Sequence, residues 1–493
     1  MKQFGTVAAA SLLLAAAGCK TTQPAAPQQP GAPAPSTAKC TGTLGIDAAP
    51  LSAAVRKRLN LPKDARGAFV TQVFPGGPAA AAGIKENDIV EKVGPASIGN
   101  DCEFARAGFD RACEPVSVTV RRGGETVEAT LTPVNEAPFF EKLCAAGNPG
   151  ACFRQAWLLW SKDHGDGHAF ELFESACKAG SGEACAYEGY QLTLSSERSR
   201  ESVAILDRAC DEKSGSGCAH LGFLYATGKD VTKDDKRAAV LYQRSCDLGD
   251  AQGCYNAGLM ADDGRGVARD AARAAAAYDE ACELGSATAC TNLGFLYENG
   301  RGVKKDRAKA LALYQRGCDG SACQPSNLGG CVNVGRSYRD GIGVDKNEEK
   351  AAEIFREACE RKENPDDIHS AENGSRACSL LGALYLSGEG IPKDVSHGLT
   401  LSELGCGRGD SFGCFNAAAV YASGGGGVAE DPAKAAEYLE KACKGGDGEG
   451  CHDLAVAYER GNGVSKDARR AKALYQQACE LGFTAACKKK TTK

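Results

Sequence analysis

The sequence predicts a mainly α-helical fold: an α-solenoid of helical hairpins, preceded by a small α+β domain. Three observations carry this expectation. Cysteines eight residues apart recur along the chain, as in Cys246-DLGDAQG-Cys254 and Cys282-ELGSATA-Cys290, and Cys246 to Cys282 is a step of 36 residues. Between such pairs lie two apolar segments of helical period, separated by a glycine turn such as Asp263-Gly264-Arg265-Gly266-Val267. A fixed period of this length marks a solenoid, whose units bury their apolar faces by stacking on one another. The third observation is a change of texture ahead of the array, where residues 41–135 read as short strands broken by glycine and proline turns.

The bulk numbers set the frame. A chain of 493 residues exceeds a usual single core, so several domains or an extended array are expected. Charged residues at 25% and a net charge of −5 argue against nucleic acid, which asks for a clustered basic face. The basic tail over 488–493 reads as a solvated end. Twenty-five cysteines, evenly spaced, imply an oxidising compartment outside the cytosol.

At the N-terminus, Met1-Lys2 is a short positive start, Val7 to Ala17 is apolar, and Ala16-Ala17-Gly18-Cys19 follows. The run is too short to span a bilayer as a helix and reads as a signal peptide over 1–18. The small residues before Cys19 resemble a bacterial lipobox, with Ala16 where Leu is more usual. That resemblance implies cleavage before Cys19, diacylglyceryl attachment to its sulfur, and a membrane anchor facing the periplasm or cell surface. Residues 19–40 hold Pro24, Pro27, Pro30, Pro33 and Pro35 among Ala and Gln, a composition that stays extended as a tether. Ser36-Thr37-Ala38-Lys39 has the S-x-x-K spacing of penicillin-recognising enzymes. That chemistry needs Ser and Lys on one helical turn, which a proline-rich tether does not supply.

In the segment 41–135, Leu44-Gly45-Ile46, Gly67 to Val73, Asp88-Ile89-Val90 and Val116 to Val120 are the strand candidates. The run GAFVTQV followed by PGGPAAAAGIKENDIV resembles a PDZ domain, of the kind appended to bacterial high-temperature-requirement proteases. The resemblance implies that an extended peptide adds as a strand at Thr43-Leu44-Gly45-Ile46, with its carboxylate in a backbone nest opened by Gly45. Phe104 and Phe109 on the following helix either wall the side-chain pocket or belong to the core. The protease domain of that family is absent from this sequence, which leaves binding without cutting. Cys102 and Cys113, on one full helix, would lie about 16 Å apart along its axis, beyond disulfide reach, which favours Cys40–Cys113.

The array is expected over 138–487, as nine hairpins from Cys152 to Cys479 with partial caps. Its turns, Asn299-Gly300-Arg301-Gly302-Val303-Lys304-Lys305-Asp306, Asp340-Gly341-Ile342-Gly343-Val344 and Arg460-Gly461-Asn462-Gly463-Val464-Ser465-Lys466-Asp467, resemble those of Sel-one-like repeats, relatives of tetratricopeptide repeats. The disulfide-bearing form is similar to secreted bacterial cysteine-rich repeat proteins. In each turn the first Gly suits a left-handed helix C-cap and the closing Asp suits the next N-cap, while Val303 and Val464 can plug the gap between helices. Tyr225, Tyr297, Tyr338, Tyr385, Tyr421 and Tyr458 fall seven after a second cysteine and read as packing. Gly222, Gly258, Gly294, Gly335 and Gly382 fall four after one and let helices approach closely.

Joining cysteines across a hairpin would strand Cys144 and Cys487, whereas joining them across the short gap leaves none over. Parity thus favours Cys144–Cys152, Cys177–Cys185, Cys210–Cys218, Cys246–Cys254, Cys282–Cys290, Cys318–Cys331, Cys359–Cys378, Cys406–Cys414, Cys443–Cys451 and Cys479–Cys487. Two units carry insertions, at 319–330 with the extra Cys323 and at 361–376. Cys323 has two candidate fates, pairing with Cys102 or exchange with Cys318.

Candidate chemistry reads mostly as repeat structure. Gly409-Asp410-Ser411-Phe412-Gly413 fits G-x-S-x-G, but it occupies the inter-hairpin position of Gly249-Asp250-Ala251-Gln252-Gly253, and a nucleophile elbow needs a strand before it. His164 and His168 stand where other units have their turn, and no further ligands cluster with them, so neither metal nor cofactor is expected. The strongest functional signal is a ladder two residues after the second cysteines: His220, Asn256, Asn292, Asn333, Asn416 and Asp453. By the tetratricopeptide analogy these face the inner curve, where amides can hold an extended polypeptide; the competing reading has them bond neighbouring helices. The resulting expectation is a lipid-anchored scaffold that binds proteins or peptides of the cell envelope. The rival is a penicillin-binding or weak β-lactam hydrolase of the cysteine-rich repeat type.

Overall fold

The structure is a computed structural model that describes residues 42–487, except 63, 100–102, 106, 108–113, 165, 195–199, 321–326 and 362–369. Cys19, Cys40, Cys102, Phe109, Cys113 and Cys323 lie outside the described residues, as do the signal and tether segments.

In chain order the first domain comprises β1 (Gly42–Thr43), β2 (Ile46–Pro50), α1 (Ala53–Arg58), β3 (Ala68–Val73), α2 (Pro78–Ala81), β4 (Ile89–Val93), β5 (Ala96–Ser97), β6 (Val116–Arg122), β7 (Glu125–Leu131) and β8 (Val134–Asn135). The main sheet runs β2-β3-β4-β6-β7, with β5 on β4, and β1 pairs separately with β8. Its buried face is built on Ala68, Val70, Val90, Val93, Val118 and Val120, the alternating positions of half-buried strands. Phe104 is buried in the same core.

The array follows without a linker. Asn135 ends β8 and stands at the N-cap position of α3 (Glu136–Ala145). Nine antiparallel helical hairpins then run from Pro149–Trp160 with Gly167–Lys178 to Gly448–Arg460 with Ala468–Glu480, and a short helix, Thr484–Cys487, closes the stack. Each hairpin is punctuated by its sequence. The first helices end on glycines in the left-handed region, such as Gly228, Gly264, Gly300, Gly341 and Gly461. The second helices begin at Asp234, Asp270, Asp306, Asn347, Asp394, Asp431 and Asp467, whose side chains accept the free N–H groups of the first turn.

In four hairpins the glycine four after the second cysteine, Gly222, Gly258, Gly294 or Gly335, makes room for a ring. A Cβ at Gly258 or Gly294 would meet the buried ring of Tyr278 or Tyr314 on the second helix of its own hairpin. Tyrosines seven after the cysteine roof the turn. The Lys309 ammonium lies 4.2 Å from the Tyr297 ring centroid, and Arg237 stands over Tyr225 at 4.3 Å. The Tyr225 and Tyr297 carbonyls accept the N–H of the next N-cap aspartate. Val303 and Val464 pack against the cores of their units.

Ten disulfides join the cysteine pairs from Cys144–Cys152 to Cys479–Cys487. Eight bridges span the loops between hairpins, and the first and last tie α3 and the helix Thr484–Cys487 to the stack, so all ten lie on one rim and the glycine turns lie on the other. The two insertions lengthen the bridged loops, to separations of 13 at Cys318–Cys331 and 19 at Cys359–Cys378.

On the disulfide rim, Asp250 caps the helix Ala251–Asp263 by accepting the Gly253 N–H. Burial of its carboxylate pushes its pKa up to about 6, and nearby Glu183 raises it further, while the Gly253 and Ser245 hydrogen bonds oppose the shift. Its counterpart Asp410 has a cation, Arg376, at 3.2 Å. A carboxyl whose folded pKa is raised stabilises the fold least at neutral pH: stability is lost as pH rises from the unfolded value through 6. Asn148 and Asn327 already cap helices at equivalent positions. Asp250→Asn is therefore expected to raise stability by about 1–3 kcal/mol at pH 7.5 and by almost nothing at pH 4, checked by urea unfolding at both pH values.

Candidate functional site

The site on the first domain starts from Gly45, whose φ of +71 suits glycine and turns the chain between β1 and β2. Its N–H donates to Thr43 Oγ1 at 3.1 Å, and its carbonyl accepts the Phe74 N–H. Leu44 and Ile46 are buried in the core on either side. The short helix α2 supports the turn from behind, through the Ala79 N–H donating to the Leu44 carbonyl.

From here β2 runs as the terminal strand of the sheet, paired on one side only among the described residues. The pairing decides which groups face outward. Gly45 bonds Phe74, while Val70 exchanges its bonds with Asp88 and Asn87 on the far side of β3. Ile46, opposite Val73, and Ala48, opposite Val70, are thus non-bonded partners of β3. Their N–H and C=O groups point to the unpaired edge. This edge, beside a left-handed glycine turn, is what strand addition requires. Phe104 sits behind it in the core.

The domain and the array share a core here. Phe74, Phe140 and Ala151 form one buried cluster, the Phe74 and Phe140 rings meeting edge to face at 5.1 Å. Phe139 on α3 lies against Gly45 and Gly77, where a Cβ at Gly45 would stand 3.6 Å from its ring. Asp47 pairs with Arg154 of the first hairpin at 2.5 Å. At the other end of β2, the fourth hairpin supplies Glu280, which accepts the Ala53 N–H at 2.5 Å and the Arg56 guanidinium at 3.1 Å. Arg66 and Arg316 both reach Glu283. The partners of Asp47, Ala53, Arg56 and Arg66 in the array lie more than a hundred residues away in the chain, and no sequence signal marked them.

The array's ladder divides. His220, Asn256 and Asn416 are buried. Burial pushes the His220 pKa down to about 4, and its Nδ1 stands 2.9 Å from the Ser216 carbonyl, so the ring is neutral with the proton on Nδ1. Asn416 donates to the Ser379 carbonyl of the preceding hairpin at 3.2 Å, the helix-bonding role. Asn256 accepts from Gln252. Asn292 meets the Tyr278 hydroxyl, and Asn333 accepts from Arg336 at 3.3 Å. Asn292, Asn333 and Asp453 remain half-exposed. Asp453 lines a cleft of about 170 Å³ between the last two hairpins, with Phe415, Leu439, Val456 and Arg460. Of the ladder, these three alone are partly open to solvent.

The remaining motifs take structural places. Ser411 is the first residue of a helix capped by Asp410 and follows another helix, without the strand that a nucleophile elbow needs. The His164 ring lies tilted against Trp160, and His168 meets Glu171. Among the described residues no group of three His, Cys, Asp or Glu side chains is arranged to hold a metal. None of their helices is long and apolar enough to cross a membrane.

Comparison with known proteins agrees with this architecture. Eight segments match the Sel1 repeat: 163–181, 215–250, 251–286, 287–321, 329–362, 375–410, 411–447 and 448–483, together more than half of the chain. The unmatched second hairpin lacks the glycine turn. Residues 42–132 match the PDZ domain. The chain is 30% identical over 95 residues to the serine protease HTRA1 of Xenopus tropicalis, covering 18% of this chain and 20% of the relative. It is 33% identical over 92 residues to the periplasmic pH-dependent serine endoprotease DegQ of Escherichia coli strain K12, again covering 18% and 20%. The chain thus spans about a fifth of the length of these curated relatives. Among solved structures, a protective antigen of uropathogenic Escherichia coli displaying an SLR fold is 22% identical, with a TM-score of 0.49, over 71% of this chain and 80% of that one. The chain belongs to the Sel1 repeat family and carries a PDZ domain in front of its repeats.

Proposed function

We propose that this chain is a lipid-anchored scaffold of the bacterial cell envelope, in which the PDZ edge captures the C-terminal end of one polypeptide and the array holds a second segment. The observation that carries the reading is the unpaired β2 edge, set beside the Gly45 turn on a domain that shares its core with the repeats. A strand added there gains backbone hydrogen bonds, and a second contact on the same rigid body raises avidity through effective concentration. The lipobox-like segment before Cys19 and the cysteine-rich composition support the compartment.

The test separates the two surfaces. Ala48→Pro removes one outward-facing N–H and leaves the β2–β3 bonds alone, a change that edge strands tolerate. The triple variant Asn292→Ala, Asn333→Ala, Asp453→Ala strips the half-exposed ladder positions. In quantitative pull-downs from envelope extract, each variant is expected to lose a different set of partners by about tenfold, or 1.4 kcal/mol. Identical capture by both variants and the parent protein would refute the two binding surfaces. Labelled fatty acid that enters the parent and the Cys19→Ala variant alike would refute the anchor.

A further inference from the structure

We infer that the array forms the far wall of the PDZ groove, so that the groove accepts a free C-terminal tail of about five residues and turns the rest of the ligand onto the rim of the third and fourth hairpins. The inference rests on the strand-addition reading above and deepens it by naming the length and exit of the ligand.

The groove is as long as β2, five residues from Ile46 to Pro50. At the Gly45 end, Phe139 of α3 and the Gly77 loop close over the turn. At the other end three features coincide. Pro50 stands opposite Ala68 and is the next outward-facing residue after Ala48, but proline has no N–H to offer a ligand strand. Its carbonyl accepts the Ser52 N–H at 3.0 Å. Against that carbonyl lies the loop between the third and fourth hairpins: a Cβ at Gly249 would stand 3.9 Å from Pro50 O and 3.4 Å from Ser52 Cβ. Glu280, bound to Ala53 and Arg56, holds the fourth hairpin in that position. Strand pairing therefore stops at Pro50, and the next ligand residues meet Gly249, Asp250 and the end of the helix that carries Glu280.

An open groove predicts something different, because upstream ligand residues would continue in solvent and touch the PDZ domain alone. The experiment uses the full-length protein and synthetic peptides sharing one apolar C-terminal tripeptide, with lengths of three to ten residues. Calorimetry is expected to show affinity rising about tenfold from three residues to five and changing less than about twofold from five to ten. A photoreactive residue placed sixth from the peptide's C-terminus should cross-link within 247–253 or 277–283. The same residue placed second should cross-link to the PDZ domain or α3. Affinity that keeps climbing to ten residues, or cross-links from the sixth position confined to the PDZ domain, would overturn the inference while leaving strand addition standing. Absence of binding by every peptide, in the parent as in Ala48→Pro, would instead remove the strand-addition reading itself.

Discussion

Full reduction of the ten disulfides is expected to unfold the array at room temperature. The chain-entropy account assigns each eight-residue bridge about 2.5 kcal/mol and the 19-residue Cys359–Cys378 bridge about 3 kcal/mol, on the order of 25 kcal/mol in all. A typical domain is stable by only about 5–15 kcal/mol. In a repeat stack, stability is close to a sum of unit and interface contributions, so each hairpin loses its share locally. Single bridges should therefore differ by position. Replacing Cys246 and Cys254 by alanine removes the tie between the third and fourth hairpins, at the loop that abuts Pro50. That change should cost about 2.5 kcal/mol and raise hydrogen exchange on both sides of the bridge. Replacing Cys479 and Cys487 frees only the four-residue helix Thr484–Cys487, and exchange should rise there alone. Loss of helical signal smaller for the reduced protein than for the single-bridge variant would refute the account.

The cysteine spacing made the hairpins legible because each bridge and each turn repeats, so any one reading is checked by its neighbours. Gly264 as a left-handed C-cap and Asp270 as an N-cap follow from residue type and position alone. The ladder was legible only as a row. Whether a side chain two after the cysteine looks into the groove or into the next hairpin depends on helix rotation. A one-residue periodicity cannot separate Asn416, which bonds Ser379, from half-exposed Asn333. The junction of the two domains left no periodic trace. It rests on single partners such as Arg56 with Glu280 and Asp47 with Arg154, and on Phe74, which reads in sequence as one more residue before a turn. The role of the second glycine, found in turns such as those of Gly266, Gly302, Gly343 and Gly463, was also missed. Its partner is not in its own hairpin.

That second glycine gives the other large effect expected here. Gly264 and Gly266 both have positive φ, at 73 and 67, so alanine is strained at either. Their surroundings differ. A Cβ at Gly264 would lie 3.0 Å from Arg269 Cβ, within its own turn, whose chain can give slightly. A Cβ at Gly266 would overlap the backbone carbonyl of Asp235, in the first turn of the preceding hairpin's second helix. The same overlap recurs at Gly302 with Ala271, at Gly343 with Arg307 and at Gly463 with Pro432, so this glycine is the point where successive turns stack. Gly264→Ala is expected to cost about 1–2 kcal/mol from the left-handed conformation alone. Gly266→Ala adds displacement of a backbone that the Arg265–Asp235 pair holds at 2.8 Å, and should cost about 3–5 kcal/mol. Urea unfolding of the two variants measures the difference directly, and equal losses would show that the second glycine serves its own turn and not the stack. Because the affected contact joins the third hairpin to the fourth, Gly266→Ala should also loosen the wall against Pro50, while Gly463→Ala, at the far end, should cost similar stability and leave peptide length-dependence unchanged.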